Sequence, residues 1–183
     1  ELAWARQQIE RLAAAWGSKL VVALVGPSGA GKSTLLNALA GREVSPTGLA
    51  RPTTREIVAY VADEADVQGL RAHWGETHVS VQVEPEAPGL AHLVLVDAPD
   101  TNTTTSGLAT LARVLEHADV LVAVFSAHNP RLHDNLTFLA PYVRQMPPTS
   151  VAPVVNMVDR APLDELRATV VPDLTAALAR EWG

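Results

Sequence analysis

Long, largely apolar runs recur along this chain, separated by stretches with helical spacing. Lys19–Val25 reads KLVVALV, and comparable runs occupy Leu90–Val96, Val120–Phe125 and Val151–Val155. A strand with one wet face alternates apolar and polar residues. A continuous run instead marks a strand covered on both sides, as in parallel sheets flanked by helices. Ile57–Val61 reads as a further strand, and His78–Val83 alternates through Val79, Val81 and Val83 as a half-buried one. Between them, Lys32–Ala40 has helical spacing through Leu35, Leu36 and Leu39, with Gly41 where a helix C-cap belongs. Residues 63–75, 107–117, 131–144 and 163–182 also read as helical, the last with a break or a new first turn at Pro172. Ahead of the first strand, Leu2, Ala5, Ile9, Leu12 and Trp16 predict an amphipathic helix over residues 1–17. Strands alternating with helices predict an α/β fold, a three-layer αβα sandwich around a mostly parallel sheet.

The first apolar run ends in Gly26-Pro27-Ser28-Gly29-Ala30-Gly31-Lys32-Ser33, which satisfies G-x-x-x-x-G-K-[ST] between a strand and a helix. Gly26, Gly29 and Gly31 let the backbone curl so that successive N–H groups point inward. Together with the helix N-terminus they form a nest for polyphosphate. Lys32 supplies a point charge for the β- and γ-phosphates, and the Ser33 hydroxyl is a ligand for Mg²⁺.

Downstream residues narrow the nucleotide. Asp97 closes a buried strand in Val96-Asp97-Ala98-Pro99-Asp100, where a water-mediated Mg²⁺ partner belongs. Asn156-Met157-Val158-Asp159 follows another buried strand. A carboxylate there accepts both N1–H and N2–H of guanine, a donor pair that adenine lacks. Arg51-Pro52-Thr53-Thr54-Arg55-Glu56 precedes the second strand, where a Thr hydroxyl completes a Mg²⁺ shell.

With these strings in this order, residues 19–182 resemble a TRAFAC-class P-loop GTPase of the Era-like and dynamin-like bacterial branches. The resemblance implies the P-loop NTPase fold over residues 18–183, GTP and GDP as ligands, Mg²⁺, slow hydrolysis and nucleotide-dependent switching. It assigns phosphate contacts to Gly26, Ser28, Gly29, Ala30, Gly31, Lys32, Ser33 and Thr34, and a γ-phosphate contact to Asp100. Guanine contacts fall to Asn156 and Asp159, metal contacts to Ser33, Thr54 and Asp97, and catalytic support to Lys32 and Thr54. Thr54 is preferred because relatives place the metal ligand directly before an Arg; Thr53 is the alternative. It further implies homodimerisation across the nucleotide face.

The chain departs from the family pattern in several places. Asp100 stands where the family has Gly, placing a carboxylate where a γ-phosphate contact is expected and putting switch II rearrangement in question. Met157 replaces the Lys whose stem covers guanine, and a thioether side chain offers similar apolar cover. Thr101 stands where Ras-like relatives carry a water-orienting Gln. Gly29 occupies the position at which potassium-activated relatives carry Asn, so no potassium stimulation is expected. These departures keep a non-hydrolysing binding module open as an alternative. A nucleotide kinase is a more distant one, because Asp97 and the NMVD string have no role there.

Composition sets outer limits. With 20 acidic and 14 basic residues the net charge is −6, and no Lys/Arg run occurs, so no nucleic acid is expected on this segment. The absence of Cys excludes disulfides, Cys-ligated zinc and thiol catalysis. No apolar run reaches membrane-spanning length. The expected location is cytoplasmic, peripheral to the inner membrane face if segments outside this one reach it. The chain begins at Glu1 and ends at Gly183 without the last strand and helix that relatives carry, so a truncated domain is expected.

Overall fold

The computed structural model describes residues 19–46, 56–75, 79–87, 89–102, 104–128, 132–160 and 162–183. The expected N-terminal helix over 1–17 and the threonines Thr53 and Thr54 lie outside these residues. Six strands form one sheet: β1 (Leu20–Val25), β2 (Ile57–Val61), β3 (Val79–Val83), β4 (Leu93–Asp97), β5 (Val120–Ser126) and β6 (Val151–Asn156). Their order is β3-β2-β4-β1-β5-β6. β4, β1, β5 and β6 run parallel, whereas β2 and β3 run parallel to each other and antiparallel to β4. The mostly parallel α/β sandwich is therefore the fold, with a reversed pair of strands at one edge.

Helices α1 (Lys32–Ala40), α2 (Gln68–Trp74), α3 (Thr105–Leu115) and α4 (Leu132–Val143) lie between successive strands, and α5 (Val171–Trp182) follows β6. A 3₁₀ turn at Glu64–Val67 leads into α2, its start fixed by a reciprocal capping box between Asp63 and Asp66. The predicted last helix is compound. Leu163–Glu165 is one helical turn, Leu166–Val170 is a π-helical stretch, and Pro172 opens α5, as a residue without an N–H to contribute should. The fourth strand is shorter than its apolar run: Leu90 belongs to the turns before β4, and Asp97 is its last residue.

The two-sided burial read from the apolar runs is visible residue by residue in the central strands, but not in β6, where Ala152 and Pro153 are exposed because the strand lies at the edge of the sheet. Val21, Ala23 and Val25 of β1, Ile57, Ala59 and Val61 of β2, and Val94 and Val96 of β4 face one cluster. There they meet Trp74 of α2, Leu111 and Val114 of α3, Leu136 and Leu139 of α4 and Leu174 of α5. The alternate residues Leu24, Tyr60 and Leu95 face a second cluster with Leu36 of α1, Val44 and Leu90. The period of two along each strand thus feeds both layers. Trp74 is fully buried, and Trp182 tilts against Phe125 and donates to the Leu136 carbonyl at 3.0 Å. No helix among the described residues is long and apolar enough to cross a membrane.

Parallel register brings the C-terminal ends of β1, β4, β5 and β6 to one edge. Leu24 pairs with Asp97, Val25 with Ala123, and Ser126 with Asn156. In an open α/β sheet this edge is where ligands bind.

Because Leu136 is fully enclosed between the sheet and the helices of the larger cluster, Leu136→Ala is expected to lower stability by about 2–5 kcal/mol, read as a urea midpoint shift without a change in slope.

Candidate functional site

The loop from β1 to α1 supplies the centre of the site. Gly26, Gly29 and Gly31 all have positive φ, at 148°, 77° and 94°. Two of these glycines are also enforced by close packing. A Cβ on Gly26 would stand 2.3 Å from the Val124 carbonyl oxygen, and one on Gly31 would stand 2.2 Å from Asn156 Nδ2. Gly26, Pro27 and Ala30 are buried while Ser28 and Gly29 are exposed, so the tip of the loop faces outward. Gly31 is the N-cap of α1 and no side chain caps that terminus, which leaves the first-turn amides to another acceptor. Thr34, in the first turn, is exposed.

Lys32 is buried, and its ammonium has three donors for three acceptors. These are the carbonyls of Gly26 at 3.0 Å and Pro27 at 3.3 Å, and Asp100 Oδ1 at 2.5 Å. Asp100 is itself buried, so this is an enclosed ion pair, and neither partner is left uncompensated. The carboxylate that replaces the family's glycine therefore points at the phosphate-loop lysine. The same segment is fastened at further points. Asn102 Oδ1 accepts from the Ser28 N–H at 2.8 Å, Thr101 N–H donates to the Gly26 carbonyl at 3.1 Å, and the Thr101 hydroxyl donates to Asn135 Oδ1 at 2.5 Å.

Asp97 is 1% exposed and receives two hydroxyls on one oxygen. Ser33 Oγ donates to Oδ2 at 2.5 Å and Ser45 Oγ donates to the same atom at 2.7 Å. Its other oxygen, Oδ1, is buried with no hydrogen-bond partner among the described residues. A buried carboxylate oxygen of this kind, beside the Ser33 hydroxyl, fits a hydrated Mg²⁺. That ion takes one or two protein oxygens and fills its shell with water and phosphate.

The loop after β6 begins at Asn156. Asn156 Nδ2 donates to the Ala30 carbonyl at 3.0 Å and its Oδ1 accepts the Met157 N–H at 2.8 Å, which ties this loop to the phosphate loop. Met157 sits in the left-handed region at φ 61°, uncommon for a residue with a side chain. The Ser126 hydroxyl lies 3.5 Å from its sulfur. Asp159 lies in the following 3₁₀ turn, Val158–Arg160, and is exposed.

The structure thus brings Gly26–Thr34, Asp97, Asp100 and Asn156 together and places Asp159 on the same sheet edge. Residues not singled out from sequence also take part: Ser45, Asn37, Asn102 and Asn135. Asn37 follows Ser33 by one helical turn, so a polar side chain on the same face of an otherwise apolar helix was the available signal.

Residues 21–157 match the model of the family described as 50S ribosome-binding GTPase. Among curated proteins, the tRNA modification GTPase MnmE of Halorhodospira halophila is 34% identical over 109 residues, covering 51% of this chain and 23% of that protein. The MnmE of Ruegeria pomeroyi is 57% identical over 37 residues, 20% of this chain and 9% of that protein. The matches thus span less than a quarter of the length of these relatives. Among solved structures, Era in complex with MgGDPNP and a 16S ribosomal RNA segment superposes with a TM-score of 0.57 at 24% identity, over 87% of this chain and 47% of that one. A member of an oligomerised bacterial dynamin pair gives 0.60 at 14% identity, over 87% and 30%. At these identities the structural matches establish the fold.

The close approach at Gly31, set against the open space at Gly69, yields a paired expectation. Gly31→Ala is expected to destabilise by about 1–3 kcal/mol, because its Cβ collides with Asn156 in a strained backbone. Gly69→Ala in α2, where a Cβ meets nothing within 4 Å, is expected to stabilise by roughly 0.4–1 kcal/mol. Urea unfolding of both variants checks the contrast.

Proposed function

The chain belongs to the 50S ribosome-binding GTPase family, within the TRAFAC class of P-loop GTPases, and on that premise we propose that it binds GTP with Mg²⁺, hydrolyses it to GDP and phosphate, and acts as a nucleotide-dependent switch. The observation that carries the proposal is the shared edge on which the glycine nest, Lys32, Asp97 and Asn156 meet. Backbone amides of residues 26–34 and the N-terminus of α1 hold the phosphates. Lys32 neutralises charge on the β- and γ-phosphates. Ser33 and, from outside the described residues, Thr54 would hold Mg²⁺ directly and Asp97 would hold it through water, and the ion would draw charge from the phosphate oxygens. Asn156 fastens the base-side loop to the phosphate loop, and Asp159 reads guanine through N1–H and N2–H. Met157 offers its thioether to the base plane.

Slow intrinsic turnover belongs to the same proposal. A terminal phosphate reaches the Lys32 ammonium in exchange for Asp100, whose carboxylate has the same sign of charge, and Thr101 has no amide to orient water. Asp100 contributes its backbone N–H to that phosphate once its side chain has moved. Association of two copies across the nucleotide face is part of the proposal, supported by the oligomerised dynamin pair that shares the fold. The domain's place is the cytoplasm. Membrane contact, if the whole protein makes one, falls to other segments, and the acidic balance assigns no nucleic acid to this one.

Single-turnover phosphate release with [γ-³²P]GTP tests the proposal. Mg²⁺-dependent release above the spontaneous rate is expected, and Lys32→Ala is expected to remove it. Asp159→Ala is expected to weaken GTP binding by about tenfold or more, the loss of hydrogen bonds to a charged acceptor, and to erase its advantage over ATP. Tight ATP binding with no GTP preference in the unaltered protein contradicts the assignment. GTP binding without Mg²⁺-dependent release favours a non-hydrolysing module, which the Lys32–Asp100 pair makes the second choice.

A further inference from the structure

Ser45 carries no role in the proposed chemistry, yet it is fully buried beside the most polar part of the site. Its hydroxyl donates to Asp97 Oδ2, the same oxygen that Ser33 engages. Its backbone is clamped from the other side by Asn37. Asn37 Nδ2 donates to the Ser45 carbonyl at 2.7 Å, while Asn37 Oδ1 accepts the N–H groups of Val44 and Ser45 at 2.9 and 2.8 Å. Val44 is seated in the apolar cluster under α1, with Leu36 and Tyr60.

Ser33 and Asn37 are one turn apart on α1 and point to one side of it. A closed circuit results, from Ser33 along α1 to Asn37, then to Ser45, Asp97 and back to Ser33. Two donors on Oδ2 fix the rotation of the carboxylate and satisfy that oxygen fully. They leave Oδ1 as the atom with unmet acceptor capacity. A carboxylate meant to receive a metal-bound water needs one oxygen held and one oxygen open.

We propose that Ser45, clamped by Asn37, is a positioning residue for Mg²⁺: it orients Asp97 so that Oδ1 accepts from the hydration shell of the ion. The inference rests on the GTP–Mg²⁺ assignment above. It differs from a merely structural role, because losing the Ser45 hydroxyl affects the metal-dependent part of nucleotide binding and spares the metal-free part.

The test is the affinity for a fluorescent GDP analogue measured in Mg²⁺ and again in EDTA. In the unaltered protein Mg²⁺ tightens binding. In Ser45→Ala the EDTA affinity stays within about twofold, while the Mg²⁺ enhancement and the apparent Mg²⁺ affinity fall by about tenfold or more, as for loss of an outer-shell partner. Ser45→Thr, which keeps the hydroxyl, restores the enhancement. Thermal unfolding checks each variant, and if Ser45→Ala does not fold, Asn37→Ala takes its place, with a smaller loss in the same direction. An unchanged Mg²⁺ enhancement in Ser45→Ala, or equal losses in Mg²⁺ and EDTA, overturns the positioning role and leaves the GTPase assignment standing. No GDP binding by the unaltered protein under either condition overturns both.

Discussion

The carboxylate of Asp97 closes β4 at the point where the sheet stops and the ligand edge begins. It is almost completely buried and joins the start of α1, through Ser33, to the segment beyond α1, through Ser45. A buried ionised group needs strong compensation, and two hydroxyl donors on one oxygen provide part of it. The remaining oxygen has none within the described residues. The site is built around that imbalance. β1 and β4 are in register so that Asp97 lies across from Leu24, two residues before the first loop glycine. Gly26 and Gly31 then pass so close to Val124 and Asn156, at positive φ, that neither has room for a Cβ.

A second balance of charge sits beside the first. Lys32 is satisfied by two loop carbonyls and by Asp100, so the buried cation and its anion are matched inside the protein. On the proposed assignment a nucleotide phosphate competes with an acceptor already in place, and its exchange for Asp100 at Lys32 couples ligand entry to movement of residues 100–102, which are also fastened to Ser28, Gly26 and Asn135. In this account the replaced glycine strengthens the resting contact between phosphate loop and switch segment, at some cost to turnover.

Much of this was legible in sequence, for physical reasons. Strands buried on both faces must be apolar at every position, so β1, β4 and β5 announce themselves, and the parallel sheet follows. The phosphate loop is legible because its glycines answer steric demands that no other residue meets. The antiparallel setting of β2 and β3 is not legible, since a short apolar strand reads the same in either direction. The contact between Asp100 and Lys32 was hidden for a similar reason: sequence shows that a carboxylate replaces glycine, and only packing shows where it points. Ser45 and Asn37 are common residue types whose significance comes from the distance between two loops and one helix, which spacing along the chain does not encode.

The central claim is that the nest at residues 26–34 and the loop at 156–159 bind one guanine nucleotide together. Amide hydrogen exchange with and without nucleotide tests it most directly. Addition of Mg²⁺ and GTP is predicted to slow exchange across residues 28–34 and across 156–160 in parallel, at one saturating concentration, with ATP at that concentration protecting neither segment. Protection of the phosphate loop without the base-side loop, or equal protection by ATP, would contradict it.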